Sequence, residues 1–167
     1  MKAILLAAVI TVMAFGQEAY AQNDKASLFK GVITSYLDLK NFLTQDAADS
    51  AGSAAERLRV AVNSLPTDSL TPVENTVWTK YKEKLGHAAE QIKNAGDIDG
   101  QRKSFEELSA AMYAILEKAK ANSVALYYDY YPMAKAYRIS EKADISNPYL
   151  GQMMPTCGSI KDTISVH

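Results

Sequence analysis

The sequence predicts an all-α fold: an up-down four-helix bundle closed by a turn-rich C-terminal hook that could hold one short strand. Two observations point there. Apolar residues recur at spacings of three and four through four successive segments, the period of a helix that buries one face. From residue 125 onward that rhythm stops. The segment holds Pro132, Pro148 and Pro155, Gly151 and Gly158, and six of the chain's ten tyrosines.

The first segment, residues 27–44, carries Phe29, Val32, Tyr36, Leu39 and Leu43 on one stripe. The second repeats the period with Ala51, Ala54, Leu58, Ala61 and Leu65, whose small side chains permit close approach to a neighbour. A break over residues 66–71 follows. Thr71, Pro72 and Glu74 then combine an N-cap, a proline at the first helical position and the acidic half of a capping box. They open a third helix with the stripe Trp78, Tyr81, Leu85, Ala88, Ile92 and Ala95, which stops at Gly96. Asp97 caps a fourth helix carrying Ile98, Phe105, Leu108, Met112, Ile115 and Ala119. So short a link makes helices three and four antiparallel neighbours. In the hook, residues 126–131 read as a strand, and the tyrosine rings would pack inward with their hydroxyls wet.

Ahead of the bundle, Lys2, an apolar run over residues 3–16 and the triplet Ala19-Tyr20-Ala21 form a signal peptide, residues 1–21, cut before Gln22. The run is short against the ~20 apolar residues of a membrane span. No cysteine stands at the cleavage point to take a lipid. The expectation is an exported chain, periplasmic or secreted, with no stable membrane insertion after cleavage. Residues 22–124 would be the bundle, and residues 125–167 the hook packed on it as part of the same domain.

Loss of Lys2 and Glu18 leaves 17 of 18 basic and 18 of 19 acidic residues, a net charge still of −1. That balance, without a basic block, argues against nucleic acid and against electrostatic docking on a membrane. Cys157 is the only cysteine, so no disulfide can close within the chain. Such a thiol in an exported protein is free, pairs between chains or holds a metal.

No catalytic constellation is present: no G-x-S-x-G elbow, phosphate-binding glycine loop, H-E-x-x-H pair or C-x-x-C. Carboxylates such as Glu106 and Glu107 sit on polar helix faces. The expectation is that the protein is not an enzyme. Its imidazoles are His87, off the stripe of helix three, and His167 at the end of the chain. Neither supplies an inward axial ligand, which argues against haem.

Soft sulfur is the chemistry that remains. Met133, Met153, Met154 and Cys157 fall within 25 residues of one another. Thioether and thiolate donors match Cu(I), a soft and polarisable ion, and Gly158 after Cys157 lets the backbone approach it closely. The competing reading is packing: methionines filling gaps under the hook, with Cys157 a small buried hydrophobe.

Several stretches carry a family resemblance. They are Tyr131-Pro132-Met133-Ala134, Ile139-Ser140, Ser146-Asn147-Pro148-Tyr149-Leu150-Gly151-Gln152-Met153-Met154, Thr156-Cys157-Gly158, and Gln101-Arg102-Lys103-Ser104-Phe105-Glu106-Glu107-Leu108-Ser109 on helix four. Together they resemble the domain of unknown function thirty-three forty-seven, a family of small exported proteins also fused to periplasmic adaptor subunits of copper and silver efflux pumps. The resemblance implies a helical bundle closed by a hook, a heavy-metal setting, and a protein of the envelope or of an efflux system as partner. In that family a cysteine usually precedes the Pro-Met pair, and in this chain the place is Tyr131. If the family's two cysteines bind metal, one ligand is lost here; if they form a disulfide, the bridge is lost. Either way the ligand role passes to Met133, Met153 or Met154, and Cys157.

Overall fold

The computed structural model describes residues 27–166, so the signal peptide read at residues 1–21 lies outside the described residues. Among the described residues four helices follow one another: α1 over residues 27–44, α2 (Ala48–Ser64), α3 (Pro72–Asn94) and α4 (Ile98–Ala119). A 3-10 turn, Thr67–Ser69, fills the break before α3. None of these helices is long and apolar enough to cross a membrane.

The helical periods hold. Every stripe residue of α1 from Phe29 to Leu43 is buried, as are Trp78, Leu85, Ala88 and Ile92 on α3 and Phe105, Leu108, Met112 and Ile115 on α4. Tyr81, Ala95, Ala61 and Ile98 sit half-buried at the margins of their stripes. The capping box forms in both directions: Glu74 N–H donates to Thr71 Oγ1 at 3.3 Å, and Thr71 N–H donates to Glu74 Oε2 at 2.9 Å. Asp97 Oδ1 accepts from Gly100 N–H at 2.8 Å and starts α4. Phe29 meets Trp78 edge-on at 5.5 Å, and Tyr36 stacks on Phe105 at 5.5 Å, which fastens α1 to α3 and α4. Aromatic contacts of this kind add about 0.5–1.5 kcal/mol each beyond the area they bury.

The hook corrects the all-α expectation. It is a three-stranded antiparallel sheet in the order β2-β1-β3, built from β1 (Leu126–Tyr131), β2 (Ala136–Ser140) and β3 (Ser159–Ile164). The strand expected at residues 126–131 is its centre. The turn over residues 132–135 returns the chain as β2, with Lys135 in the left-handed region at φ 53° and its N–H donating to Pro132 O at 3.3 Å. β3 arrives only after the long loop and pairs with β1, from Leu126 opposite Ile164 to Tyr130 opposite Ser159. The register shifts between Tyr128 and Asp129, which leaves Lys161 as an extra residue on the outer strand. A bulge and a lysine on an edge strand discourage pairing with further chains.

The sheet is bound to the bundle by polar contacts as well as apolar ones. The Tyr36 hydroxyl is 2.9 Å from Ser109 Oγ of α4 and accepts from Ile139 N–H of β2 at 3.0 Å. Lys40, buried on α1, donates to Glu141 Oε2 at 2.6 Å just past β2.

Candidate functional site

The long loop over residues 141–158 is shaped by its own sequence. Asn147 Oδ1 accepts from the N–H groups of Tyr149 (2.9 Å) and Leu150 (3.2 Å), an Asx turn that the following Pro148 favours. Asn147 N–H donates to Pro155 O at 2.9 Å and so draws the far side of the loop back. Tyr149 drops its ring against Phe105 and Tyr131, and its hydroxyl donates to Tyr137 O.

The same loop satisfies the C-terminal end of α1, where a helix leaves carbonyls without partners. Arg102 Nη2 donates to Leu43 O at 3.1 Å, and Gln152 Nε2 donates to Thr44 O at 2.7 Å. Arg102 also donates from Nε to Pro148 O at 2.9 Å and pairs with Asp46. Asp46 Oδ2 in turn accepts from Gln152 N–H at 3.3 Å. Gly151, at φ 52°, fits into this cluster only because it lacks a side chain; a Cβ there would overlap Asp46 and Arg102. The Asn-Pro-Tyr-Leu-Gly-Gln stretch is therefore a latch that joins α1, α4 and the hook.

The sulfur residues hang on either side of that latch. Met133 is in the β1–β2 turn and 65% exposed; Met153 ends the 3-10 turn Gly151–Met153 and is 80% exposed. Met154 is 39% exposed, and Cys157 is half-buried with a free thiol. Continuing the β1–β3 register past Tyr130 and Ser159 places Gly158 beside Tyr131. A Cβ on Gly158 would be 2.8 Å from Tyr131 Cε1, so the strand entry is pressed onto that ring. Cys157 precedes Gly158 in the loop that enters β3, and Met133 lies in the turn that leaves β1. The structure thus brings Cys157 and Met133 to one end of the sheet. Met153 and Met154 lie in the loop before Cys157, next to the turn that Gln152 fastens to the end of α1, and their side chains are outside the core.

The donor set suits a soft ion in kind: one thiol and three thioethers. No group of three His, Cys, Asp or Glu side chains lies together among the described residues, so an ion that prefers imidazole and carboxylate finds no such ligand set there.

A buried charge cluster runs along the β1–β2 pair. Arg138 Nη2 is 3.0 Å from Asp129 Oδ2 with both side chains fully buried, and Arg138 Nε donates to the Tyr131 hydroxyl, which donates to Ser146 O at 2.9 Å. Burial raises the Asp129 carboxyl, against the pull of Arg138 and Lys40. Burial lowers Lys40 to about 8, although its hydrogen bond to Glu141 works the other way. Tyr36 is pushed up to about 12 by burial, opposed by its hydrogen bonds from Ile139 and with Ser109.

The sequence reading missed Arg102, Asp46, Gln152, Lys40, Asp129 and Arg138. A signal for three polar partners of this kind existed: Arg102 and Ser109 fall on the apolar stripe of α4 between Ile98, Phe105 and Met112, and Lys40 falls between Tyr36 and Leu43. A polar residue in phase with a core stripe calls for a buried partner. Asp129 and Arg138 gave no such sign, because each became a core residue only when β1 and β2 paired.

No curated protein and no solved structure matches this chain. A family model described as "Protein of unknown function (DUF3347)" matches residues 32–124, which run from α1 through the end of α4 and form more than half of the chain. The latch and the sulfur residues lie beyond the matched span. The helical bundle from α1 to α4 makes this chain a member of the DUF3347 family.

Proposed function

We propose that this protein is an exported, non-catalytic module of the cell envelope that binds a soft metal ion, Cu(I) in particular, as cargo. Cys157 and Met133 are the ligands, completed by Met153 or Met154. The observation that carries this reading is the exposure of the methionines. Met133 and Met153 fill no gap in the core, as the packing reading required, but face solvent, and Cys157, the chain's only thiol, is free. A flexible thioether at the surface can swing onto an ion at little cost, and a thiolate would anchor it. The hook holds the ends of this set: Gly158 is seated on Tyr131, and Gly151 is seated between Asp46 and Arg102. The heavy-metal setting implied by the family resemblance supports delivery to an envelope or efflux-system protein.

The test is the alkylation rate of Cys157 with and without Cu(I), under anaerobic conditions with a thiol-free reductant. Metal coordination requires the thiolate and should protect it. Protection is expected in the parent and weakened in Met133→Leu, which keeps the bulk and removes the sulfur. Unprotected Cys157 in the parent refutes copper binding at this thiol and leaves a non-catalytic structural or protein-interaction module as the function.

A further inference from the structure

One column of rings has no part in the latch or the sulfur end. Tyr113 of α4 lies on Tyr128 of β1, with centroids 3.8 Å apart and planes 16° from parallel. Tyr128 lies on Tyr137 of β2 at 4.8 Å and 12°, and Tyr137 leans on Tyr130 at 4.7 Å and 41°. Tyr130 and Tyr137 meet because they are paired directly across the two strands. Tyr113, Tyr128 and Tyr130 are half-buried and Tyr137 is exposed, so the column is open to a diffusing oxidant. Tyr113 is also placed against a base: its hydroxyl donates to Asp162 Oδ2 at 3.2 Å.

That last contact matters for redox chemistry. A phenol that loses an electron becomes a strong acid, and oxidation is easier when a positioned base takes the proton in the same step. Burial and the bond to Asp162 raise the Tyr113 hydroxyl above its ordinary range.

We propose that Tyr113 and Tyr128 form an oxidative cross-linking site, at which a peroxide-derived one-electron oxidant joins the two rings as dityrosine and staples α4 to β1. Each phenol gives up one electron and its hydroxyl proton, and the proton of Tyr113 passes to Asp162. The two phenoxyl radicals carry spin on the ring carbons next to the oxygen-bearing carbon, and a C–C bond forms between one such carbon of each ring. The hydrogens on those carbons then move through solvent to the oxygens, restoring two phenols. The two electrons and two protons released reduce one hydrogen peroxide to two waters. The product is the same chain less two hydrogens. Tyr113 and Tyr128 are the favoured pair because they are the closest and nearly parallel, and because the rest of the column can pass a radical to them.

The experiment treats the purified mature protein with hydrogen peroxide and a peroxidase, then follows dityrosine fluorescence, intact mass and cross-linked peptides. The expected product is a single chain two hydrogens lighter, with the Tyr113 and Tyr128 peptides joined. Tyr113→Phe keeps the stacked ring and should lose this product. Asp162→Asn keeps a hydrogen-bond acceptor but no base, and should slow the reaction severalfold. Tyr127→Phe, outside the column, should leave the yield unchanged. Cross-links only between chains, a cross-link mapping to other tyrosines, or an unchanged product in Tyr113→Phe would overturn the proposal. A parental rate in Asp162→Asn would remove the carboxylate from it.

Discussion

Gly151 sits against the guanidinium of Arg102 so closely that no side chain fits between them, and its φ of 52° is one that L-residues rarely adopt. Arg102 is held there from three sides, by Leu43 O, Pro148 O and Asp46. Gly151→Ala must therefore displace the arginine or unwind the latch, at a cost of about 2–4 kcal/mol. Arg102→Ala leaves the two carbonyls without that donor and should cost about 2–3 kcal/mol. Because the shorter side chain vacates part of the space a Cβ would need and releases Asp46, its ion-pair partner and the other neighbour, to turn away, the two changes should cost less together than in sum. Urea denaturation of the single and double variants measures this; strict additivity would mean that Gly151 and Arg102 do not share the space.

Leu85 lies mid-stripe on α3 and is fully buried, whereas His87 two residues on is exposed. Leu85→Ala should cost about 2–5 kcal/mol through the cavity it leaves. His87→Ala should stay within about 0.5 kcal/mol. Chemical denaturation of both compares them directly, and a costlier His87→Ala would contradict the observed helical phase.

Stability should peak on the mildly alkaline side. Lys40 titrates near 8 in the folded chain against an ordinary 10.5, because burial disfavours its charge. Between those values the unfolded state binds the extra proton, so stability rises with pH. Tyr36 has the opposite sign: its folded value is about 12 against an ordinary 10.0, so above pH 10 the unfolded state loses the proton first and stability falls. Burial raises the hydroxyls of Tyr131 and Tyr149 as well, which steepens the fall. Denaturation midpoints taken across pH 7–11 should show the rise and the fall, and Lys40→Met should flatten the rise alone. A monotonic decline from pH 7 would mean that Lys40 is not penalised by burial.

The mature protein should begin at Gln22, since Ala19-Tyr20-Ala21 directly follows the apolar run. Intact mass of the exported material decides it. A membrane-bound product that retains residues 1–21 would rule out cleavage.

The helices were legible because their signals are local. A stripe such as Phe29, Val32, Tyr36 and Leu39 repeats within one turn, and the Thr71–Glu74 capping box closes over three residues. β1 was legible for the same reason, from its run of tyrosines. β2 and β3 were not: β2 is short, and β3 exposes every residue but Ile164, so it shows no inward and outward alternation. The candidate ligands Met133, Met153, Met154 and Cys157 stood out by atom type. The exposure of the three methionines did not, because nothing local to a methionine says whether it faces the core.

What the sequence by itself determined is the set of four amphipathic helices and their caps, set by residues a few positions apart, and the antiparallel pairing of α3 with α4, set by the short link between them. The tertiary structure alone decided which strands pair and what holds the hook. Arg102 meets Pro148 and Leu43 across 46 and 59 residues, and Gln152 meets Asp46 across 106. Such partnerships exist only once the bundle has brought the end of α1 beside α4, because their donors and acceptors carry no periodicity that points one toward the other.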